Sequence, residues 1–155
     1  MMSEIDLRLI HLIRDGRGVV WSLRKPLKKE DAAKVSISKK ERKPYPVWRT
    51  AVMWSISNLL STWLRKQLNP GSSLVCRYED MVGNPRQTFT EIGVVIDHDM
   101  TEVIDNLINQ RSMQSGHVMS GNRMRMNRNI RLKLDTEWKE KMPLSDKKIA
   151  TALTE

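Results

Sequence analysis

The hydrophobic pattern changes period at one short basic turn near the start of the chain. Apolar residues dominate positions 7 to 13, which predicts a buried strand. After the turn Arg-Asp-Gly-Arg at positions 14 to 17, apolar residues return at helical spacing through Val19 and Leu23. A strand that enters a helix across such a turn places backbone N–H and guanidinium groups at the helix N-terminus. The pattern therefore predicts an anion site, typically for phosphate, with Ser22 within reach of it.

A second amphipathic pattern predicts a long helix in the middle of the chain. The helix should end before Asn69-Pro70-Gly71, because these residues interrupt helices. Its predicted buried face consists of apolar residues at helical spacing: Trp48, Val52, Ile56, Leu59, Leu60 and Trp63. Tryptophans in this pattern favour a role in the core over a stacking surface.

A second strand and further helices follow. Residues 73 to 77 are apolar enough for a short strand, and Asn84 with Pro85 is typical of a helix start. Thr101 is predicted to cap the next helix, and Asp135 or Thr136, then Ser145, are predicted to cap two short ones. In the helix that starts at Pro85, the predicted inward-facing residues are Phe89, Ile92 and Val95 or Ile96. In the helix that starts at Thr101, they are Val103, Ile104, Leu107 and Ile108.

This order of elements predicts an α/β domain with a parallel sheet. A chain of 155 residues fits a single domain, residues 1 to 155. Residues 25 to 46 include three prolines and little periodicity, so we interpret them as a basic loop insertion. Because two strands are few for such a fold, we expect the sheet to be incomplete and part of it to lie upstream.

The net charge of +9 favours anionic partners. Nine Lys and Arg lie between positions 24 and 43, and five lie between 123 and 133. Such a basic excess attracts nucleotides, nucleic acid, sulfated sugars or lipid headgroups, although a solvated loop is the simpler interpretation of each cluster. No apolar run reaches membrane-spanning length, so we expect no membrane segment in this chain.

Other chemistry-bearing residues favour structural roles. The single Cys76 lies in an apolar strand and excludes an internal disulfide. Three scattered histidines give no metal-ligand spacing, and we expect no metal. His11 should be a core residue, whereas Asp15 should cap the helix that follows it. Glu79 and Asp80 are adjacent near a strand end, and we expect both to bond backbone or pair with arginine rather than to act in acid/base catalysis.

Three segments, in this order, resemble the sulfotransferases that use 3′-phosphoadenosine 5′-phosphosulfate (PAPS). The first is Arg14-Asp15-Gly16-Arg17 with Ser22, because family members hold the 3′-phosphate with an Arg and a Ser eight positions later. The second is the run from Arg77 to Pro85, which is similar to the family's Tyr-Glu-Asp-Met segment and Asn-Pro helix start. The third is Gly121-Asn122-Arg123-Met124-Arg125, followed by Trp138, which resembles the Gly-Asn-X-X-Arg loop of carbohydrate-type and bacterial members.

The resemblance implies a P-loop-like three-layer fold and a nucleotide site. Arg14 and Ser22 would bind the 3′-phosphate, and Tyr78 would lie beside the adenine. Gly121, Asn122 and Arg125 would close over the phosphate side of PAPS. The implied reaction is in-line transfer of a sulfuryl group from PAPS to an acceptor hydroxyl or amine, possibly on a carbohydrate.

The chain departs from the family pattern in two places. Gly16 stands where proline is commoner, and no equivalent of the family's opening strand, 5′-phosphosulfate loop and helix precedes Leu7. The usual catalytic His or Glu comes from that region, so no catalytic residue is identified here. We expect the chain to be a C-terminal portion that holds half of the cofactor site and shows no transfer alone.

Two other interpretations stay open from the residues. The basic clusters suit a nucleic-acid-binding module, although no helix-turn-helix, zinc or aromatic-on-strand pattern supports one. The chain could also be a non-catalytic remnant that keeps nucleotide binding. For Arg14 the structural alternative is a surface ion pair with Asp15 or Glu79. The compartment is undetermined, because carbohydrate-type members are Golgi membrane proteins and other members are cytoplasmic.

Overall fold

The computed structural model describes residues 6–24, 45–109, 111 and 133–155, so most of the loop insertion predicted at 25–46 lies outside the described residues. Two strands and seven helices are described: β1 (Leu9–Ile13), α1 (Gly16–Arg24), α2 (Val47–Lys66), β2 (Ser73–Arg77), α3 (Tyr78–Gly83), α4 (Pro85–Ile96), α5 (Thr101–Ile108), α6 (Glu137–Lys141) and α7 (Leu144–Thr154). The predicted order is confirmed, with the short α3 added directly after β2.

The two strands pair in parallel, as predicted. Leu9 lies opposite Ser73, and Ile13 lies opposite Arg77 at the carboxyl end of the pair. The described part of the sheet consists of these two strands. Because both strands end at the same edge, the residues that follow them, Arg14 and Tyr78, emerge side by side.

Helices α2 and α4 pack against the strands. The buried His11 of β1 shares a hydrogen bond of 2.9 Å between its Nε2 and Asn58 Oδ1 on α2, which confirms its expected place in the core. Cys76 of β2 is buried on the side of α4, where burial and the charge of Glu91 raise the pKa of its thiol. A buried thiol with a raised pKa is a poor nucleophile, so the expected structural role of Cys76 is confirmed.

The main core lies where α1, α2 and α7 meet. Val20 of α1 is fully buried there, and Trp21 and Trp138 cover its edge with half-buried rings. The remaining buried members are Val47, Ala51, Met142 and Ala150. The C-terminal helices are therefore part of the same packed unit as the first strand and helix.

The predicted buried face of α2 is wrong. Trp48, Leu59 and Trp63 are 58%, 69% and 61% exposed, respectively. The helix contacts α1 and α7 through a different set of smaller residues at helical spacing, which allow close approach: Val47, Thr50 and Ala51. Of the other predicted core positions, Ile56 and Leu60 are exposed and Val52 is half-buried.

The later helices follow the predictions more closely, with corrections at their ends. Asn84 caps α4, because its Oδ1 accepts a hydrogen bond of 3.4 Å from the Gln87 N–H. Thr101 does not cap α5; it is the first helical residue, and its N–H donates to Asp99 Oδ1 over 2.9 Å. Ser145 is likewise not a cap, because α7 begins at Leu144 after a proline.

The inward faces of α4 and α5 are only partly as predicted. Ile104 is buried, whereas Ile96 and Ile108 are exposed. The other predicted positions are half-buried: Phe89, Ile92, Val95, Val103 and Leu107. Within the described ranges, no helix combines the length and apolar character needed to cross a bilayer.

The core position of Val20 leads to a stability prediction. Val20→Ala removes two buried methyl groups and leaves a cavity, so the free energy of unfolding should fall by about 2 kcal/mol. Urea denaturation followed by circular dichroism measures the loss. Leu23→Ala on the exposed side of the same helix is the matched control and should cost less than about 0.5 kcal/mol. Equal losses for the two variants would contradict the assignment of the core.

Candidate functional site

The turn between β1 and α1 is organised by Asp15. Its Oδ1 accepts a hydrogen bond of 2.9 Å from the Arg17 N–H, so Asp15 caps α1 as predicted. The same carboxylate accepts hydrogen bonds from Arg17 Nε at 3.0 Å and Nη2 at 2.7 Å, so the two side chains form a bidentate ion pair. Burial raises the pKa of Asp15, but the hydrogen bonds and charge of Arg17, with the Gly18 N–H, outweigh burial and lower it.

Glu79 ties this turn to the end of the second strand. Its Oε1 accepts a hydrogen bond of 3.1 Å from the Asp15 N–H, and its Oε2 lies 3.9 Å from Arg77 Nε. The expected structural role of Glu79 is therefore confirmed. The bond fixes the backbone next to Arg14 relative to α3, across the two strand ends.

Arg14 and Tyr78 are brought together, as their places after paired strands require. The Arg14 guanidinium lies 4.8 Å from the centre of the Tyr78 ring. The Tyr78 hydroxyl donates a hydrogen bond of 2.6 Å to the Lys133 carbonyl. Burial, with the charges of Asp135 and Glu79, raises the pKa of Tyr78 against the opposing charge of Arg14. The hydroxyl is thus protonated at neutral pH and able to donate.

The expected alternative partners of Arg14 were wrong. Arg14 Nη2 donates to Asp135 Oδ2 at 3.1 Å, because Asp15 is engaged by Arg17 and Glu79 by the Asp15 backbone. In the described part of the chain, the hydrogen bonds of Arg14 use Nη2 alone. A guanidinium carries five N–H donors, so Arg14 keeps donors for a ligand.

Ser22 lies on the same face of α1 as the Arg14 side chain. A Cβ atom at Gly18 would meet Arg14 Nε at 3.4 Å and the Trp138 indole at 3.3 Å, so both side chains lie against this glycine. Ser22 follows Gly18 by four positions and is half-buried. Residues four apart are neighbours on one helix face, so Ser22 lies one helical turn beyond Gly18, against which the Arg14 side chain lies.

Arg17, the second basic residue of the turn, has all three guanidinium nitrogens in contact with carboxylates. Its Nε and Nη2 bind Asp15, its Nη1 lies 3.0 Å from Glu155 Oε1, and its guanidinium stacks 4.6 Å from the Trp138 ring. The hydrogen bond to Asp15, with the charges of Asp15 and Glu155, raises the pKa of Arg17 although burial lowers it. Arg17 therefore braces the turn, whereas Arg14 has donors to offer.

Sequence reasoning missed the contribution of Asp135 and Lys133 to the site. Thr136, one of the two predicted caps, occupies the N-cap position of α6 without a side-chain cap bond, and Asp135 before it accepts from the Glu137 N–H at 3.2 Å. The pairing of Asp135 with Arg14 was not foreseen. The predicted site residues Gly121, Asn122 and Arg125 lie outside the described residues. Among the residues that the structure describes, no group of His, Cys, Asp or Glu could hold a metal ion.

Comparison of the sequence with known families shows the family to which the chain belongs. A family model described as the sulfotransferase domain matches residues 1–154. The chain belongs to the sulfotransferase family. Curated proteins and solved structures gave no match. This sulfotransferase is therefore an enzyme of the transferase class whose family moves sulfuryl groups, generally from PAPS to an acceptor.

The lowered pKa of Asp15 leads to a pH-dependent prediction. Asp15→Asn keeps a capping oxygen and removes the charge that faces Arg17, so it should cost about 1 kcal/mol of stability at pH 7. The folded pKa is lowered, so this advantage of the carboxylate is present above the unfolded value of about 3.9. It is lost as pH falls through the folded pKa.

Urea denaturation of both proteins between pH 7 and pH 3 measures the difference. The two unfolding free energies should converge toward the acid end of this range. A difference that stays constant from pH 7 to pH 3 would show that the charge of Asp15 does not stabilise the turn.

Proposed function

We propose that this protein binds PAPS with its 3′-phosphate between Arg14 and Ser22 and its adenine beside Tyr78. One observation carries the proposal: Arg14 is held by Tyr78 and Asp135 above the first turn of α1, with donors remaining and Ser22 on the same face. A dianion there would meet a guanidinium, a hydroxyl and the positive end of a helix.

The proposed mechanism is in-line transfer of the sulfuryl group to an acceptor hydroxyl or amine. The sulfur–oxygen bond to the nucleotide breaks as the acceptor oxygen or nitrogen attacks sulfur, and adenosine 3′,5′-bisphosphate leaves. Arg14 and Ser22 contact a phosphate remote from that sulfur. They therefore contribute affinity and select PAPS over nucleotides without the 3′-phosphate, and they position the sulfur indirectly.

The remainder of the pocket is proposed from the family pattern. Gly121, Asn122 and Arg125 would close over the phosphate side, and the acceptor would be a carbohydrate or a small molecule. Together with Arg14, Ser22 and Tyr78, this loop would make up the 3′-phosphate and adenine half of the cofactor site.

The proposal includes the architecture around the site. Residues 1–155 would form one domain with a basic loop insertion at 25–46, in a P-loop-like three-layer fold. His11 and Cys76 occupy adjacent register positions, so their side chains lie on opposite faces of the sheet. His11 lies toward α2 and Cys76 toward α4, which supports helices on both faces.

Nucleotide binding provides the test. Arg14→Ala and Ser22→Ala should each reduce retention on immobilised adenosine 3′,5′-bisphosphate, by about tenfold or more for Arg14, because a charge-assisted bond to phosphate is lost. Calorimetric titration of the free nucleotide gives the same comparison in solution. Unchanged retention in both variants would refute the phosphate assignment.

Two matched control variants show whether a loss of binding comes from the proposed site or from the removal of any arginine or hydroxyl. Arg24→Ala removes an arginine of the same helix that pairs with Asp146 at 2.6 Å, and Ser57→Ala removes an exposed hydroxyl of α2. Both should bind nucleotide like the wild type.

Salt-sensitive retention on DNA or RNA with no effect of the nucleotide would favour the nucleic-acid interpretation instead. Nucleotide binding without sulfuryl transfer from PAPS would favour the non-catalytic one.

A further inference from the structure

The segment 133–138, which we name the clasp, touches the anion site at three points. The Lys133 carbonyl accepts from the Tyr78 hydroxyl at 2.6 Å, and Asp135 Oδ2 accepts from Arg14 Nη2 at 3.1 Å. The Trp138 indole lies 3.3 Å from the position of a Cβ atom at Gly18. The clasp comes from more than a hundred positions further along the chain than Arg14, yet it contacts the groups proposed to bind the nucleotide.

Asp135 is itself fixed in place. Its Oδ1 accepts from the Glu137 N–H at 3.2 Å, while its Oδ2 binds Arg14. A carboxylate anchored to backbone holds the long Arg14 side chain in one orientation. Without that anchor, Arg14 would lose rotamer freedom when it binds a ligand, and this cost would weaken binding.

The charge of Asp135 repels an anionic ligand, but its two hydrogen-bond partners reduce this repulsion. The carboxylate is already neutralised in part by Arg14 and by the N–H at the start of α6. Its side-chain contact with Arg14 occupies Nη2 and leaves the other edge of the guanidinium to a ligand. Orientation of Arg14 is therefore gained at a reduced electrostatic penalty.

We infer that Asp135 is a positioning residue for the nucleotide 3′-phosphate, acting through Arg14, and this inference rests on the function proposed above. The clasp thereby couples the docking of the C-terminal helices to nucleotide selection. The contribution of Asp135 is specific to ligands that carry the 3′-phosphate, because Arg14 is the group that it orients.

Calorimetric titration with two nucleotides tests the inference. Asp135→Ala should weaken binding of adenosine 3′,5′-bisphosphate by about tenfold and change binding of adenosine 5′-monophosphate by less than about twofold. A general structural defect would weaken both. In the Arg14→Ala background, Asp135→Ala should have no further effect on the ratio of the two affinities.

The matched control is Asp146→Ala. It removes an ion pair between α1 and α7, Arg24 with Asp146 at 2.6 Å, and should leave the affinity ratio unchanged. Thermal denaturation would reveal whether Asp135→Ala unfolds. In that case Asp135→Asn, which keeps the side-chain volume and one acceptor oxygen, should also lower the affinity for adenosine 3′,5′-bisphosphate relative to adenosine 5′-monophosphate.

The outcomes separate this inference from the proposed function. If the wild type prefers the 3′-phosphate and Asp135→Ala binds it equally well or more tightly, Asp135 does not position Arg14 for the phosphate and the inference is wrong. If the wild type has no preference for the 3′-phosphate, the proposed function fails and the inference fails with it.

Discussion

Arg14 and Tyr78 are neighbours because Ile13 and Arg77 are paired in a parallel sheet. Each residue is the first after its strand, so register alone brings together side chains far apart in sequence. A slip of one residue would turn the side chains of β1 to the opposite face and remove His11 from its bond to Asn58. The parallel pairing of the strands thus sets the geometry on which the candidate site depends.

The two arginines of the turn illustrate how similar surroundings lead to different roles. Each stacks on an aromatic ring and binds an aspartate: Arg14 with Tyr78 and Asp135, Arg17 with Trp138 and Asp15. Arg17 also meets Glu155, so its three nitrogens are all engaged. Arg17 and Asp15 hold the turn, and the neighbouring guanidinium of Arg14 keeps N–H donors for the phosphate that we propose it binds.

Local signals in the sequence were reliable around the candidate site, although the predicted caps at Thr101 and Ser145 were wrong. Signals that depend on distant packing were not reliable. The change of period at Arg14, the cap at Asp15 and the Asn84 helix start are encoded within a few residues, and each prediction was confirmed. The buried face of α2 was misassigned because apolar residues lie on more than one side of that helix, and its packing partners α1 and α7 decide which side is used. The pairing of Arg14 with Asp135 spans most of the chain, so no local pattern could indicate it.

We expect the 3′-phosphate of the nucleotide to lie between Arg14 and Ser22. A crystal structure with adenosine 3′,5′-bisphosphate tests it most directly. The 3′-phosphate should lie within about 3 Å of both the Arg14 guanidinium and the Ser22 hydroxyl, with Arg14 still bonded to Asp135. A nucleotide whose 3′-phosphate contacts neither residue would contradict the account.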